Sequence, residues 1–476
     1  MKEPINQTEN YLCEEKWRLT LESIISLGAS AGADIVEIFI ENTDNIGILA
    51  EDDVITNVSP SFGKGAGIRV FKNNKDGFVS TNNLTFIGLK LALCQALNML
   101  GLELTSSTLS KFDGLDKIRD YVHSKEFWLS ESPKIEEASN KILEGTKYLK
   151  QKVKHIQARR GSYSRSWQEV LIACSDGTFA RDVRLHQSIG LNVIASDKNH
   201  VSSNGRRYGS HGKPRELKDW DAEQASFEVS ESSNNMLYAK YVEANQMPVV
   251  LANRFGGVIF HEACGHLLET TQIERGTSPF ANKIGQKIAN ESVTAIDEGF
   301  TEGAFGTLSI DDEGMEPQKT TLIKDGLLKS FLSDRAGEMR TGHKRTGSGR
   351  RQSHSFAAAS RMRNTFIDSG KYTPSQLIES IENGLYCKSM GGGSVGPTGQ
   401  FNFAVDEAYV IKNGIITTPV KGATLIGEAK EILPRISMCA NDLDLSAGFC
   451  GSVSGSINVT VGQPHIKVDS ITIGGR

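Results

Sequence analysis

Two histidines and a glutamate lie within six residues of one another, at His261, Glu262 and His266. Imidazole nitrogens bind zinc and a neighbouring glutamate can accept a proton, so this grouping is typical of a metal-dependent hydrolase. In the frequent His-Glu-x-x-His motif the two histidines are four residues apart and lie on one face of a helix. Here they are five residues apart, which separates them by about 140° around a regular helix. We therefore predict a π-bulge or a break in the helix, with Gly265 as the natural place for it.

A zinc site needs a third protein ligand, and the residues themselves leave the choice open. The downstream candidates are acidic residues and cysteines, namely Glu269, Glu274, Asp297, Glu298, Cys264 and Cys450. We interpret Cys264 as a core residue, because it would project from another side of the helix than the histidines. Cys450 lies between glycines in residues 448–452, where a thiolate could approach a metal closely. The alternative to a metal site is a buried helix that carries two unrelated histidines.

Composition and charge exclude several classes of protein. A formal net charge of -4 argues against a general nucleic-acid coat, which needs a basic surface. The seven cysteines include no Cys-x-x-Cys pair and do not form a disulfide framework. The N-terminal residues lack the apolar core of a signal peptide, and the most apolar segment, residues 87–102, is too short to span a bilayer. The sequence therefore predicts a cytoplasmic protein that does not enter membranes.

The spacing of apolar residues and turn signals predicts an α+β fold. Helical periodicity predicts four helices in the first half, at residues 14–27, 83–99, 135–156 and 219–242. Asp176-Gly177 and Asn413-Gly414 each separate two alternating segments, which is typical of β-hairpins. The polar, glycine-rich residues 198–215 are predicted to form a loop, and residues 308–314 a strand.

The composition changes near residue 240, from segments with helical periodicity to strand patterns punctuated by glycine. We predict a mixed α/β domain at residues 1–235 and a β-rich domain at residues 236–476. The second domain would carry the helix with the two histidines at its start.

Several segments, taken in order, resemble the TldD/PmbA metalloprotease family on its TldD side. The similarity is strongest from residue 250 onward and extends over essentially the whole chain. The matching segments are residues 260–269, 310–314, 346–352, 361–366, 391–395, 421–426 and 462–469. Because PmbA-like members of the family lack the His-Glu motif, this chain resembles the catalytic subunit.

The resemblance implies a zinc peptidase and assigns its site residues. Zinc would be held by His261, His266 and Cys450, with Glu262 as the catalytic general base. The substrates implied are small or unfolded peptides, and the partner implied is a second copy of the chain or a PmbA-like subunit.

Two further segments are predicted to contact the substrate. Arg350 and Arg351 belong to a basic segment with few aromatic residues, which disfavours nucleic acid as a partner and favours a peptide or a partner subunit. Gly392 and Gly393 are predicted to form a close-approach loop beside the substrate channel, with an ordinary turn as the alternative. The alternative for the whole protein is a regulatory binding protein, similar to a DNA gyrase modulator, with a structural metal or none.

Overall fold

The structure is a computed structural model that describes residues 14–104, 112–121, 132–212, 220–396 and 399–475. It has the predicted α+β fold, in which strands outnumber helices. None of the described helices is long and apolar enough to cross a membrane. The predicted domain boundary between residues 235 and 236 stays a prediction.

A seven-stranded sheet and four helices form the first half of the described chain. The helices are α1 (Glu14–Ser30), α2 (Phe86–Asn98), α3 (Ile135–Lys152) and α4 (Ala222–Leu237). The strands are β1 (Ile35–Glu51), β2 (Val54–Lys72), β3 (Lys75–Thr81), β4 (Arg119–Tyr121), β5 (Ile156–Cys174), β6 (Phe179–Asp197) and β7 (His200–His211). Their order in the sheet is β3-β2-β1-β5-β6-β4, and β7 also pairs with β6. Apolar residues of α1 and α2 pack on one part of this sheet, and those of α3 and α4 pack on another.

The helix boundaries differ from the predicted ones by a few residues. The first helix continues through Gly28 to Ser30, and Thr85, not Asn83, accepts the capping hydrogen bond of α2. Helix α3 ends at Lys152, because the next residues turn into β5.

The predicted loop at residues 198–215 is wrong for residues 200–211, and residues 213–215 lie outside the described part of the chain. Most of the segment is strand β7, which pairs with β6 from Asp197↔His200 to His186↔His211 around a two-residue turn. Lys198 has a φ of 52° in this turn, a conformation that hairpin turns require. The segment is polar because its buried side chains, such as Ser202, form hydrogen bonds to α4 instead of packing in an apolar core.

The second half of the chain contains two larger sheets. Its strands are β8 (Lys240–Tyr241), β9 (Asn245–Leu251), β10 (Ala295–Glu298), β11 (Lys319–Lys324), β12 (Leu327–Leu328), β13 (Gly349–Arg350), β14 (Ala359–Ser360), β15 (Asn364–Ile367), β16 (Asn383–Val395), β17 (Gln400–Lys412), β18 (Ile415–Lys421), β19 (Thr424–Glu428), β20 (Ile436–Cys439), β21 (Asp444–Ser452), β22 (Gly455–Gln463) and β23 (Ile466–Gly474). Its helices are α5 (Val258–Ala263), α6 (Thr270–Glu274), α7 (Arg335–Thr341), α8 (Pro374–Glu379) and α9 (Ala429–Ile432), with 3-10 turns at Arg254–Gly257, Gly265–Leu268 and Leu433–Arg435.

Five of these strands close into a ring, because β16 pairs with β17 as well as with β9 along the path β16-β9-β23-β19-β17. Apolar residues of α5 and of the following 3-10 turn share one core with the ring strands. A separate sheet of order β12-β11-β10-β15-β22-β21 ends on the hairpin β21–β22. The two histidines therefore come from a helix packed on the ring, and Cys450 comes from the edge of another sheet.

The predicted strand at residues 308–314 is also wrong. This segment forms bends and turns, in which Gly314 has a φ of 78°. Its carboxylates cap backbone amides, since Asp311 accepts from the amides of Glu313 and Met315. Alternation of residue types could not distinguish this buried polar turn from a strand.

Candidate metal centre

The helix with the two histidines is broken between them, as the five-residue spacing predicted. Helix α5 ends at Ala263, and Cys264 leaves the helical conformation with φ −128° and ψ −47°. A 3-10 turn follows at Gly265–Leu268 and carries His266. The break lies at Cys264 and not at Gly265, whose role is close packing. A Cβ added at Gly265 would lie 2.1 Å from the Met362 sulfur.

The break brings both imidazoles to the same place, where Cys450 meets them. One ligand atom from each of His261, His266 and Cys450 lies within 4.8 Å of the others. The Cys450 sulfur is 3.2 Å from Nε2 of His266. The rings of His261 and His266 are nearly perpendicular, with centroids 5.1 Å apart. All three side chains are buried.

Glu269 holds the other nitrogen of His266. Its Oε2 lies 3.1 Å from Nδ1 of His266, and its side chain is buried. A carboxylate on Nδ1 fixes the tautomer and leaves Nε2 directed at the cysteine, which is the usual arrangement around zinc-binding histidines. The sequence analysis considered Glu269 only as a possible ligand. The three-residue step from His266 to Glu269 was the signal for this supporting role.

Arg361 holds the backbone of Cys450, and the two imidazoles favour the thiolate form of its side chain. Arg361 is fully buried and donates to the backbone oxygen of Cys450 at 2.5 Å and to Ser454 Oγ at 2.9 Å. Burial alone would raise the pKa of Cys450, but the imidazoles of His261 and His266 outweigh it and lower that pKa to about 3. Burial likewise opposes the charge on His266, whereas Glu269 and Cys450 raise its pKa well above the ordinary value.

Glu262 lies at the more open side of this cluster. Its carboxylate is half-buried, and Oε2 is 3.8 Å from Nε2 of His266. This distance is too long for a hydrogen bond, so the carboxylate is close to the cluster without being fixed to it. Glu262 is more exposed than its neighbour in the cluster, since its side chain is 21% exposed and that of His266 is 10% exposed.

The donor set fits a zinc ion. Among the described residues, neither ring nitrogen of buried His261 has a hydrogen-bond partner, an arrangement that costs free energy unless a ligand completes it. Two imidazole nitrogens and one thiolate, with a fourth position left for water or substrate, are a donor set found in catalytic zinc sites.

The start of α5 is anchored to the strands next to it. Gly257 approaches the backbone of Gly462 so closely that an added Cβ would lie 2.5 Å from its carbonyl. Gln463 donates to the backbone oxygen of Ala252, and Asn253 donates to the carboxylate of Asp442. These contacts fix the direction in which α5 presents its histidines.

A cavity of about 1120 Å³ lies beside the cluster, between the first sheet and the second half of the chain. Its walls include Arg206, Arg207 and Tyr208 of β7. They also include Phe255, shortly before His261 in the sequence, and Phe449, directly before Cys450. His261, His266 and Cys450 do not line it. The cavity therefore adjoins the cluster, separated from it by β21 and the 3-10 turn before α5.

The structure places the residues predicted to bind substrate in two different environments. Arg350 and Arg351 are buried, and they donate to backbone oxygens such as that of Met362 and to the Glu37 carboxylate. Gly392 lines the cavity on β16, whereas Gly393 packs against the ring of Phe403. A contact of any of these residues with substrate stays a prediction.

The remaining candidate ligands lie outside the cluster. Asp297 binds Arg363 through a 2.6 Å contact, Glu274 pairs with Arg340, and Glu298 pairs with Lys319. Cys264 lies in the apolar core, as predicted, and burial raises the pKa of its thiol.

Sequence comparison defines the class of protein to which this fold and site belong. The chain matches the PmbA/TldA metallopeptidase C-terminal domain at residues 244–475, domain 1 at residues 36–100 and the central domain at residues 128–237. It is 33% identical over 472 residues to the Metalloprotease TldD homolog of Haemophilus influenzae, covering 96% of both chains. It is also 33% identical over 259 residues to the Zinc metalloprotease TldD homolog of Saccharolobus solfataricus, covering 54% of this chain and 58% of that one. The chain belongs to the PmbA/TldD metallopeptidase family.

Solved structures have the same fold. TldE from Thermococcus kodakarensis matches with a TM-score of 0.73 and 21% identity, over 96% of this chain and 100% of that chain. A proposed modulator of a DNA gyrase from Thermotoga maritima matches with a TM-score of 0.75 and 17% identity, over 96% and 99%. At these identities the similarity concerns the fold alone.

Proposed function

We propose that this chain is a zinc-dependent peptidase that hydrolyses small or unfolded peptides with Glu262 as general base. The observation that carries the proposal is the convergence of His261, His266 and Cys450, with Glu262 beside them on the open side. The name of the Saccharolobus relative supports zinc as the metal. A structural zinc site needs no such carboxylate and has four protein ligands, so the geometry favours catalysis.

The proposed mechanism assigns a separate task to each residue. His261, His266 and Cys450 would hold the zinc ion, which would supply a Lewis acid to polarise the peptide carbonyl and to acidify water. Glu262 accepts a proton from the attacking water, whose oxygen bonds to the carbonyl carbon. As the carbon–nitrogen bond breaks, Glu262 donates that proton to the leaving amine. Glu269 keeps His266 in the tautomer that directs Nε2 toward the cluster.

The outer edge of β16 is the proposed docking site for the peptide backbone. On the side of β16 that faces β9, the two strands pair only at Leu385, Tyr386 and Cys387. The part of β16 after Cys387 therefore has no strand partner on that side in the described parts of the chain. Gly392 lies on this edge and lines the cavity. An extended peptide that adds to the edge would form backbone hydrogen bonds without strong selection among side chains.

The substitution Glu262→Gln tests the mechanism. Since it leaves all three proposed ligands in place, the purified variant should keep about one zinc per chain. It removes the proton acceptor, so hydrolysis of an unfolded peptide should fall by about 10²- to 10⁴-fold. Zinc analysis and a peptide-cleavage assay measure the two effects on the same sample.

His261→Ala and His266→Ala are the matched controls, because they should lose the zinc itself. Full zinc content in either variant would remove the proposed site. Cleavage by Glu262→Gln at the rate of the unsubstituted protein would remove Glu262 from the mechanism. We also propose that this chain acts in the cytoplasm, either as a homodimer or as a heterodimer with a PmbA-like subunit. The assay is therefore run with the chain alone and with a PmbA-like subunit.

A further inference from the structure

The cavity beside the metal cluster contains several basic side chains, and most of them have an acidic partner. Arg160 binds Glu51, Arg206 and Lys388 lie beside Glu407, and Arg254 lies beside Asp444. Among the acidic side chains of the cavity, Glu228 accepts from Gln224 and from the Tyr208 hydroxyl, and Glu231 lies 3.7 Å from Lys388. Four of the cations are thus paired with carboxylates, whereas Glu228 accepts only from uncharged donors.

Arg207 differs from the other cations of the cavity. No carboxylate of the described residues lies within 4.0 Å of its guanidinium. Its polar contact is Nη1 to Ser188 Oγ, at 3.3 Å. Gly190 lies opposite it on β6, so no side chain from that residue covers the guanidinium. Arg207 is exposed as a residue, and partial desolvation by the surrounding protein lowers the pKa of its guanidinium.

Three acidic side chains line the cavity, Glu228, Glu231 and Asp406, and none of them lies within ion-pair distance of Arg207. Burial raises the pKa of Asp406, and the charge of Arg206, the residue before Arg207 on β7, opposes this shift. Asp406 lies on the strand β17, against the backbone of Gly391, and does not reach Arg207 within ion-pair distance. The positive charge at Arg207 is therefore available to a ligand in the cavity.

Phe449 places this charge near the metal cluster. The guanidinium of Arg207 lies 5.5 Å from the centre of the Phe449 ring, which is 53% exposed. Phe449 precedes Cys450 on β21, so the guanidinium is within about 13 Å of the Cys450 Cα. Successive side chains of a strand point to opposite faces, so Phe449 faces the cavity and Cys450 faces the metal cluster. Because β21 is the edge strand of its sheet, a peptide that contacts both Arg207 and the metal cluster passes around this edge.

We propose that Arg207, with the ring of Phe449 beneath it, is a subsite that binds a carboxylate of the peptide substrate. A guanidinium and a carboxylate form paired charge-assisted hydrogen bonds, and the exposed ring offers apolar contact beside them. This inference rests on the proposed peptidase function and specifies its substrate class. The carboxylate has two sources, the C-terminal α-carboxylate and an acidic side chain.

The C-terminal source has a consequence for the products. If the α-carboxylate lies at Arg207, the length of the path around β21 sets how many residues separate the cleaved bond from the C-terminus. Cleavage would then release C-terminal fragments of one narrow range of lengths. An acidic side chain at Arg207 would set no such limit.

A set of four peptides distinguishes the two sources. One sequence is made with a free C-terminus or a C-terminal amide, each with Asp or Asn near that end. The full-length zinc protein should cleave the peptide with the preferred carboxylate about 10- to 100-fold faster in kcat/KM than its neutral counterpart, as expected for a hydrogen-bonded charge. A preference for the free C-terminus or for Asp identifies the source, and mass spectrometry of the products measures fragment length.

The substitution Arg207→Met should reduce this preference ratio to about one, mainly through KM. Arg207→Lys should retain part of it, because an ammonium keeps the charge without the paired geometry. The matched control is Arg160→Met, which removes another cation of the cavity, one that Glu51 already neutralises. This control should retain the full ratio, and thermal unfolding checks that each variant is folded.

Binding to the Glu262→Gln variant gives a second measurement that does not depend on hydrolysis. Fluorescently labelled peptides should bind this variant more tightly when they carry the preferred carboxylate, and adding Arg207→Met should abolish the difference. Equal affinity for all four peptides would overturn the subsite, and so would an equal loss with Arg160→Met. If the peptides bind selectively but are not cleaved by the unsubstituted protein, the peptidase function fails while the carboxylate subsite stands.

Discussion

At the scale of single residues, the metal cluster depends on side chains that do not bind the metal themselves. Glu269 fixes Nδ1 of His266, and Arg361 fixes the backbone on which Cys450 lies. Such supporting contacts orient the donor atoms before the metal arrives, so they contribute to affinity without contributing a bond.

The substitution Glu269→Gln tests this supporting role. Loss of the negative charge beside His266 should weaken zinc binding by about 10- to 100-fold while the three donor atoms stay in place. Competition with a zinc-binding dye measures the affinity. Glu274→Gln is the matched control, because that carboxylate pairs with Arg340 away from the cluster and its loss should leave zinc binding unchanged. Equal affinity of the two variants would contradict the role of Glu269.

The residues of the cluster were predictable to different degrees. His261, Glu262 and His266 could be selected from their types and spacing, which also predicted the interruption that the structure contains. Cys450 could be selected only from the resemblance to the family, because 184 residues separate it from His266 and no local pattern connects them. The exposed charge at Arg207 could not be predicted, since it depends on which acidic side chains lie nearby after folding.

At the scale of secondary structure, the position of the histidines depends on how α5 begins. Its first turn packs against the end of β22 through Gly257, which has no room for a side chain. The φ of Gly257 is −58°, so this glycine is needed for close approach and not for an unusual backbone conformation.

Gly257→Ala should therefore destabilise the protein. Its Cβ would collide with the backbone of Gly462, which cannot move as a flexible side chain can, and we expect a loss of about 1 to 3 kcal/mol in the free energy of unfolding. Denaturation in urea measures this loss. Gly451→Ala is the control on the neighbouring hairpin, because no atom lies within 4 Å of a Cβ added there. An equal effect of both substitutions would show that close approach is not the cause.

Hairpins with strong turn signals were predicted correctly, whereas polar strands were not. Asn413 and Gly414 both have positive φ, at 49° and 74°, and they join β17 to β18 as predicted. Strand β7 was missed because it is rich in polar residues, with three serines, one asparagine and two arginines. Their burial depends on hydrogen bonds to α4 and on the cavity wall, neither of which a hydropathy pattern contains.

At the scale of the whole molecule, buried ion pairs join the first sheet to the second half of the chain. Arg351 and Arg335 both contact Glu37 of β1, and Arg184 of β6 contacts Asp312. Of the basic segment named in the sequence analysis, Arg351 is used in this connection, and Arg350 donates to the backbone oxygen of Met362. That nucleic acid is not a partner stays a prediction.

Glu37→Gln should weaken this connection and make stability less dependent on pH. Burial alone would raise the pKa of Glu37, but Arg351, Arg335 and Arg69 outweigh it and hold that pKa below the ordinary value. The substitution leaves buried guanidiniums without their counter-charge, which should cost about 3 to 5 kcal/mol near neutral pH.

The pH dependence follows from the direction of that shift. Because the folded state depresses the pKa of Glu37, its charge stabilises the protein fully above about pH 4.3, the ordinary value for glutamate. This stabilisation is lost as the pH falls through the lower folded-state value. Urea denaturation should therefore give a constant difference between the unsubstituted protein and Glu37→Gln from pH 7 to pH 5, and a shrinking one below about pH 4. Glu338→Gln, at an exposed glutamate one turn from Arg335, should have little effect at any pH. A difference that instead grows with acidification would mean that Glu37 is not held as an anion by these arginines.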